Sequence, residues 1–208
     1  MKLAIFGATG KTGRLILQRA LAAGHEVTVC VRDPARLGVQ QERFRVVVGG
    51  VGDVKAVRDV VRGADAVISA VGGGGETLTA FARTVVAAMR EANVSRIVSL
   101  IGASIPVQGD RTAPGRTLLH LMMRLVAKSV LKDGTRHARA LERTSLAYTL
   151  VRPPRLTDAA ASGRIRHRLQ LPLSPASSIS RADLAAFMLQ VAEEGLYMRE
   201  APMVASQG

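Results

Sequence analysis

Three glycines at three-residue intervals, Gly7, Gly10 and Gly13, follow directly on the short apolar run Leu3–Phe6. A helical pattern starts at once, with Leu15, Ile16, Leu17, Ala20 and Leu21 on its apolar side. Strand, glycine turn and helix in this order bind the pyrophosphate of a dinucleotide. Gly7 allows the tight turn, Gly10 lets backbone approach the phosphates, and Gly13 lets the helix pack against the sheet. The helix start then offers free N–H groups and a partial positive charge. Gly10-Lys11-Thr12 also looks like the end of a triphosphate-binding loop, but that loop needs glycine five residues before Gly10, where this chain has Ile5. Kinase or ATPase chemistry is therefore disfavoured.

A second group of residues bears on the choice of dinucleotide. The run Val27–Val31 ends in Arg32-Asp33-Pro34-Ala35-Arg36. An acidic residue at the strand end would bond the ribose hydroxyls of NAD. The first polar residue here is Arg32, with Arg36 a helical turn later, and guanidinium groups pair with a 2′-phosphate through charge-assisted bonds. NADP(H) is expected over NAD(H), with Asp33, one position late, leaving some NAD use open.

Candidate proton donors are few. Carbonyl reduction in short-chain dehydrogenases uses Tyr-x-x-x-Lys, in which the lysine lowers the tyrosine pKa. The chain has two tyrosines, Tyr148 and Tyr197, and neither is followed by lysine at the fourth position. Tyr148 falls in an apolar run and reads as core. Ser99, Ser104 and His137 are alternatives, each equally readable as packing. Four scattered histidines and the single Cys30 give no metal-ligand spacing, so no metal is expected.

The elements that must position these residues alternate. Strands are expected at Leu3–Phe6, Glu26–Val31, Arg45–Val48, Ala66–Ala70, Arg96–Leu100 and Ala147–Arg152, and helices at 11–23, 54–61, 78–92, 135–143 and 181–193, the last capped by Ser180. Residues 117–131 also read as an apolar helix, and 105–116 and 157–178 as loops. This pattern predicts an α/β fold: a doubly wound, mostly parallel sheet with helices on both faces, in a single domain spanning 1–208, with 105–135 as a lid or interface insertion. Ligands would bind along the C-terminal strand ends.

Composition narrows the classes. A length of 208 residues suits one domain, and 48% hydrophobic residues suffice for a full core. No apolar stretch reaches the ~18 residues of a membrane span. The first apolar run is too short for a signal peptide, and one cysteine permits no internal disulfide, so a cytoplasmic location is expected. The net charge of +13 invites nucleic acid, but arginines outnumber lysines 24 to 5, are spread along the chain, and only 3% of residues are aromatic. Nucleic acid is disfavoured. The densest basic cluster, Arg164, Arg166, His167 and Arg168, reads as a solvated loop, with contact to an anionic substrate as the alternative.

The motifs GATGKTG, VTVCVRDPARL, VVVGG, DAVISAVGG, VVAAM, LVRPPRL and ISRADLAAFML occur in an order that resembles atypical short-chain dehydrogenases. The nearest likeness is to the biliverdin reductase B/flavin reductase group, and NmrA-like proteins are more distant. The resemblance spans nearly the whole chain and is weakest at 105–135. It implies a Rossmann-like fold holding NADP(H). Thr9, Gly10, Lys11, Thr12 and Gly13 would surround the pyrophosphate, after the turn at Gly7, and Arg32 and Arg36 would hold the 2′-phosphate. Gly50, Val51, Ala70, Val71, Gly72 and Gly73 would line the adenosine side. Leu100, Ile101, Gly102, Pro153, Pro154 and Arg155 would approach the nicotinamide.

The departures from the group matter. Gly50 stands where the group has an aspartate for the adenine amino group. Either Asp53 substitutes through a shifted loop or that hydrogen bond is missing. Gly102 replaces a serine, and Arg155 a histidine, so Gly102, Ser104 and Arg155 are candidate catalytic positions without an assigned acid. The expected activity is hydride transfer from NADPH to a flavin, quinone or similar conjugated acceptor, an anionic one included, because such acceptors need orientation more than an acid. The alternative is a catalytically weak NADP(H) sensor of NmrA-like type. A nucleotide-sugar epimerase is disfavoured by the missing Tyr-Lys pair. The protein is expected to be a monomer or a homodimer; the 117–131 helix reads by default as core, with a lid or a dimer face as alternatives.

Overall fold

The computed structural model describes residues 1–38, 43–73, 75–110 and 128–207. Six strands form a parallel sheet: β1 (Lys2–Phe6), β2 (Glu26–Val31), β3 (Phe44–Val48), β4 (Ala66–Ser69), β5 (Arg96–Leu100) and β6 (Ala147–Val151). Their order across the sheet is β3-β2-β1-β4-β5-β6. The chain winds outward from β1 to β3, then returns to β4 on the other side of β1. That reversal opens a crevice beyond the ends of β1 and β4, where doubly wound folds bind ligands.

Helices α1 (Lys11–Ala22) and α5 (Arg181–Glu193) cover one face, and α2 (Val54–Val61), α3 (Thr77–Glu91) and α4 (Lys128–Glu142) the other. Along β1, Leu3 and Ile5 join the first layer's core while Ala4 and Phe6 join the second's. Burial on both faces makes such strands continuous apolar runs, which is why they are plain in the sequence. Asp53 and Ser180 cap α2 and α5, accepting from the Ala56 and Asp183 amides. Asp53 thus has a local role.

Three expectations are corrected. Arg164 to Arg168 is no simple loop: Ile165–Arg168 is strand β8, antiparallel to β10 (Met203–Ser206). Its period-two pattern turns Ile165 and His167 inward, and Arg164, Arg166 and Arg168 are exposed. The expected 157–178 loop also reaches a short parallel pair, β7 (Arg155–Thr157) with β9 (Ser178–Ser180). The helix expected at 135–143 already runs from Lys128 and passes straight through Gly134. A Cβ there would lie 2.6 Å from Ile105 Cδ1, so the glycine serves close packing and does not end the helix. Of the 117–131 helix, residues 117–127 lie outside the described residues, as does most of the expected 105–135 insertion.

Candidate functional site

The glycine turn is built by close approach. Gly7 has φ +81°, and a Cβ on it would lie 2.6 Å from the Ala70 carbonyl at the end of β4. A Cβ on Gly13 would collide with the Gly7 carbonyl, so α1 can start this close to the sheet only with glycine there. The Gly10 amide donates to the Gly7 carbonyl at 3.0 Å and closes the turn.

Around this turn lies a cavity of about 580 Å³. Gly7, Thr9, Gly10, Arg32, Arg36, Gly50, Val51, Ala70, Val71, Gly72 and Gly73 all line it, together with Cys30, Gly49 and Thr77. A Cβ on Gly50 or Gly72 would meet no atom within 4 Å, so both leave the cavity open to a ligand. Arg32 and Arg36 are exposed and have no carboxylate partner among the described residues. Neighbouring Asp33 is turned into its own chain, accepting from the Ala35 amide at 3.0 Å. The donor set at this end, two unpaired guanidinium groups and a glycine turn, suits a phosphorylated nucleotide. Cys30 donates to the Gly49 carbonyl at 3.4 Å, and burial, helped by the Asp53 charge, pushes its thiol up to about 11. It is a packed wall of the cavity and not a nucleophile.

Ala70 to Gly73 are shared with a second cavity of about 210 Å³, which also takes in Leu100, Ile101, Gly102, Pro153 and Pro154. Leu78, Ile105, Val130, Gly134 and Leu156 complete it. The two make one groove, polar and basic at the Arg32 end and apolar at the Pro153 end. No described residue lining the apolar part is titratable.

Several expected residues lie elsewhere. Thr12 is buried and Gly13 packs beneath Gly7, so neither lines the groove. Lys11 also stands outside the lining and pairs with Asp158 at 2.7 Å. Ser104 is half-buried beside Gly102, and Arg155 is exposed at the start of β7; neither lines the apolar part. Tyr148 is buried under the Arg199 guanidinium, and Tyr197 bonds His167 Nδ1 through its hydroxyl at 2.7 Å. Neither tyrosine reaches the groove.

A polar cluster lies behind the apolar part; sequence reading picks out its Ser99 and His137 but misses Asp133. Asp133 of α4 accepts from the Leu78 and Thr79 amides at 2.9 and 2.8 Å, and from the Thr79 hydroxyl at 2.6 Å. It thereby caps α3, whose own N-cap position is Glu76 in a left-handed conformation with no side-chain cap. Burial pushes the Asp133 carboxyl up, but these hydrogen bonds outweigh it and hold the group below the ordinary aspartate value. One turn on, His137 is fully buried. The Leu78 carbonyl, 3.1 Å from Nδ1, can only accept, so Nδ1 carries the proton and Nε2 accepts from Ser99 at 2.8 Å. Burial pushes the imidazole down to about 4, leaving it neutral. His137 and Ser99 thus brace the groove from behind, and neither touches its contents. The signal that could have found Asp133 is its place one helical turn before His137.

Comparison with known proteins agrees with this architecture. A model of the NAD(P)H-binding family matches residues 7–195. The uncharacterized protein YwnB of Bacillus subtilis (strain 168) is 34% identical over 106 residues, covering 50% of this chain and 48% of that protein. The chain therefore spans about half the length of this curated relative. Among solved structures, ChuY from Escherichia coli O157:H7, described as an anaerobillin reductase, superposes with a TM-score of 0.82 at 22% identity, over 99% of this chain and 97% of that one. A Rossmann-fold NAD(P)-binding family protein from Shigella flexneri gives 0.79 at 22% identity, over 100% and 94%. At such identity these two likenesses establish the Rossmann-like fold alone.

Proposed function

Because the chain belongs to the NAD(P)H-binding family, we propose that it is an NADPH-dependent reductase passing hydride to a flavin, quinone or similar conjugated acceptor. The observation that carries this reading is the division of the groove. Its basic end, with Arg32 and Arg36 unpaired and Asp33 folded back on Ala35, suits a 2′-phosphate. Its apolar end, walled by Leu100 to Gly102, Ile105 and Pro153–Pro154, suits the nicotinamide and a flat apolar acceptor.

The cofactor, when bound, supplies the hydride. The chain's own part is to hold the two rings together and keep water out. Among the described residues, the apolar lining has no titratable side chain, which favours an acceptor whose reduced form takes its proton from solvent. A carbonyl that needs an acid fits poorly. Gly102, Ser104 and Arg155 then act by shape and charge at the mouth, with Arg155 favouring an anionic substituent. ChuY, an anaerobillin reductase of the same fold, is consistent with this proposal.

The test is oxidation of NADPH, followed by loss of reduced-nicotinamide absorbance, with FMN, riboflavin, a quinone and biliverdin in turn, repeated with NADH. Turnover that prefers NADPH is the expected result. NADPH bound without turnover of any acceptor would overturn the reductase reading in favour of a sensor. Arg155→Ala should raise KM for an anionic acceptor more than for a neutral one.

A further inference from the structure

Asp158 lies one residue beyond β7, just past Leu156 of the apolar wall. One oxygen of its carboxylate takes Lys11 Nζ at 2.7 Å, and the other takes Arg181 Nη1 at 2.6 Å. Lys11 directly follows Gly10 of the glycine turn, and Arg181 opens α5. A single carboxylate therefore holds two cations, one of them the residue that follows the glycine turn.

We infer that Asp158 is a built-in rival of the cofactor pyrophosphate for Lys11 and Arg181, and that cofactor binding frees the 158–161 segment. This rests on the proposal that the groove takes a dinucleotide. Three observations support it. The Lys11 and Asp158 side chains are 70% and 61% exposed, and such an ion pair is weak enough for a doubly charged ligand to displace. The hydrogen bond from Lys11, with the Arg181 charge, holds the Asp158 carboxyl below the usual aspartate range, so the rival is fully ionised at neutral pH. The segment is also tethered very unevenly. Buried Asp183 takes the Ser162 and Gly163 amides at 2.9–3.0 Å. Among the described residues, no hydrogen bond holds the backbone of residues 159–161. Among the described residues, the Asp158 bridge is the nearest polar tether on the N-terminal side of that stretch.

If instead Asp158 merely holds Lys11 ready for the phosphates, its loss must weaken binding, so the sign of the effect decides. NADPH is titrated by its fluorescence into the wild type and into Asp158→Asn at low salt. Roughly two- to tenfold tighter binding by the variant is expected, shrinking as salt is added. Unchanged or weaker binding overturns the proposal. A second readout needs no nicotinamide. Elastase cuts after small residues, and the segment offers Ala159, Ala160 and Ala161. Inorganic pyrophosphate should speed cleavage there in the wild type, while Asp158→Asn should be cut fast without it. Cleavage insensitive to both overturns the latch. If the wild type binds no NADPH, the dinucleotide reading fails, while pyrophosphate-dependent cleavage still decides the role of Asp158.

Discussion

Acidification from pH 7.5 to 5 should remove about 2 kcal/mol of stability through His137 alone. The imidazole titrates near 6.5 in the unfolded chain and near 4 in the folded one, because burial opposes its charge. Below 6.5 the unfolded state therefore binds the extra proton and is favoured. The loss grows as pH falls and levels off below 4, at about 3–4 kcal/mol in all, from 2.5 pH intervals of about 1.4 kcal/mol each. The groups facing the ring are the Leu78 carbonyl, the Ser99 hydroxyl, the Phe81 ring and, more remotely, the Asp133 carboxylate, whose attraction only partly offsets burial. His167 is also shifted down by burial and titrates in the same direction, so the wild type alone does not isolate His137. His137→Gln does. It should lower stability at pH 7.5 by about 1–3 kcal/mol, as a broken buried hydrogen-bond pair does, yet flatten the decline towards pH 5. Urea unfolding at a series of pH values, with unchanged m, measures both. A decline as steep in the variant as in the wild type would refute a neutral, buried His137. The folded-state ring stays neutral until about pH 4, so the first turn of α3, just beyond Gly72 and Gly73, keeps its brace and the NADPH affinity of the folded protein should not change through His137 over this window.

Other substitutions probe the groove directly. Arg32→Ala should weaken NADPH by about 1.5–3 kcal/mol, the scale of hydrogen bonds to a charged group, and leave NADH nearly unchanged in parallel titrations. Equal losses for both would make Arg32 structural. Gly13→Ala drives a methyl into the backbone carbonyl of Gly7, which cannot yield as a side chain can. Unfolding should show a loss of about 1–3 kcal/mol, and NADPH binding should fail as α1 backs away from the turn. Gly134→Ala meets only the flexible tip of Ile105 and gains helix propensity, so stability should change by less than about 1 kcal/mol. Ile105 must then move within the apolar wall, so the acceptor KM should rise while NADPH affinity stays constant.

The parts of this molecule that were legible in the sequence are those fixed by neighbours along the chain. The glycine turn works through residues six positions apart, and β1, β2, β4 and β5 are buried on both faces, so their apolar runs stand out. Arg32 and Arg36 reach the groove because the end of β2 delivers them there. The Ile165–Arg168 strand was hidden because three of its four residues are Arg or His. What makes it a strand is pairing with β10, more than thirty positions later. The Asp53 cap was local, but the missing aspartate at Gly50 drew attention to the cavity and away from the amide of Ala56.

The rest of the site depends on contacts no local pattern encodes. Asp133 reaches an α3 amide 55 positions away, and Lys11 meets Asp158 across 147. The same division runs through function. The cofactor end is set by one turn and one strand end, so a short motif suffices to propose NADP(H). The apolar end, where we propose the acceptor sits, is walled from α4, the start of α3, the loops after β4, β5 and β6, the end of β5 and β7, and its width turns on how closely Gly134 lets Ile105 approach. A change of acceptor therefore needs no change in the glycine motif, and chains sharing that motif can be expected to agree on the cofactor while differing in what they reduce.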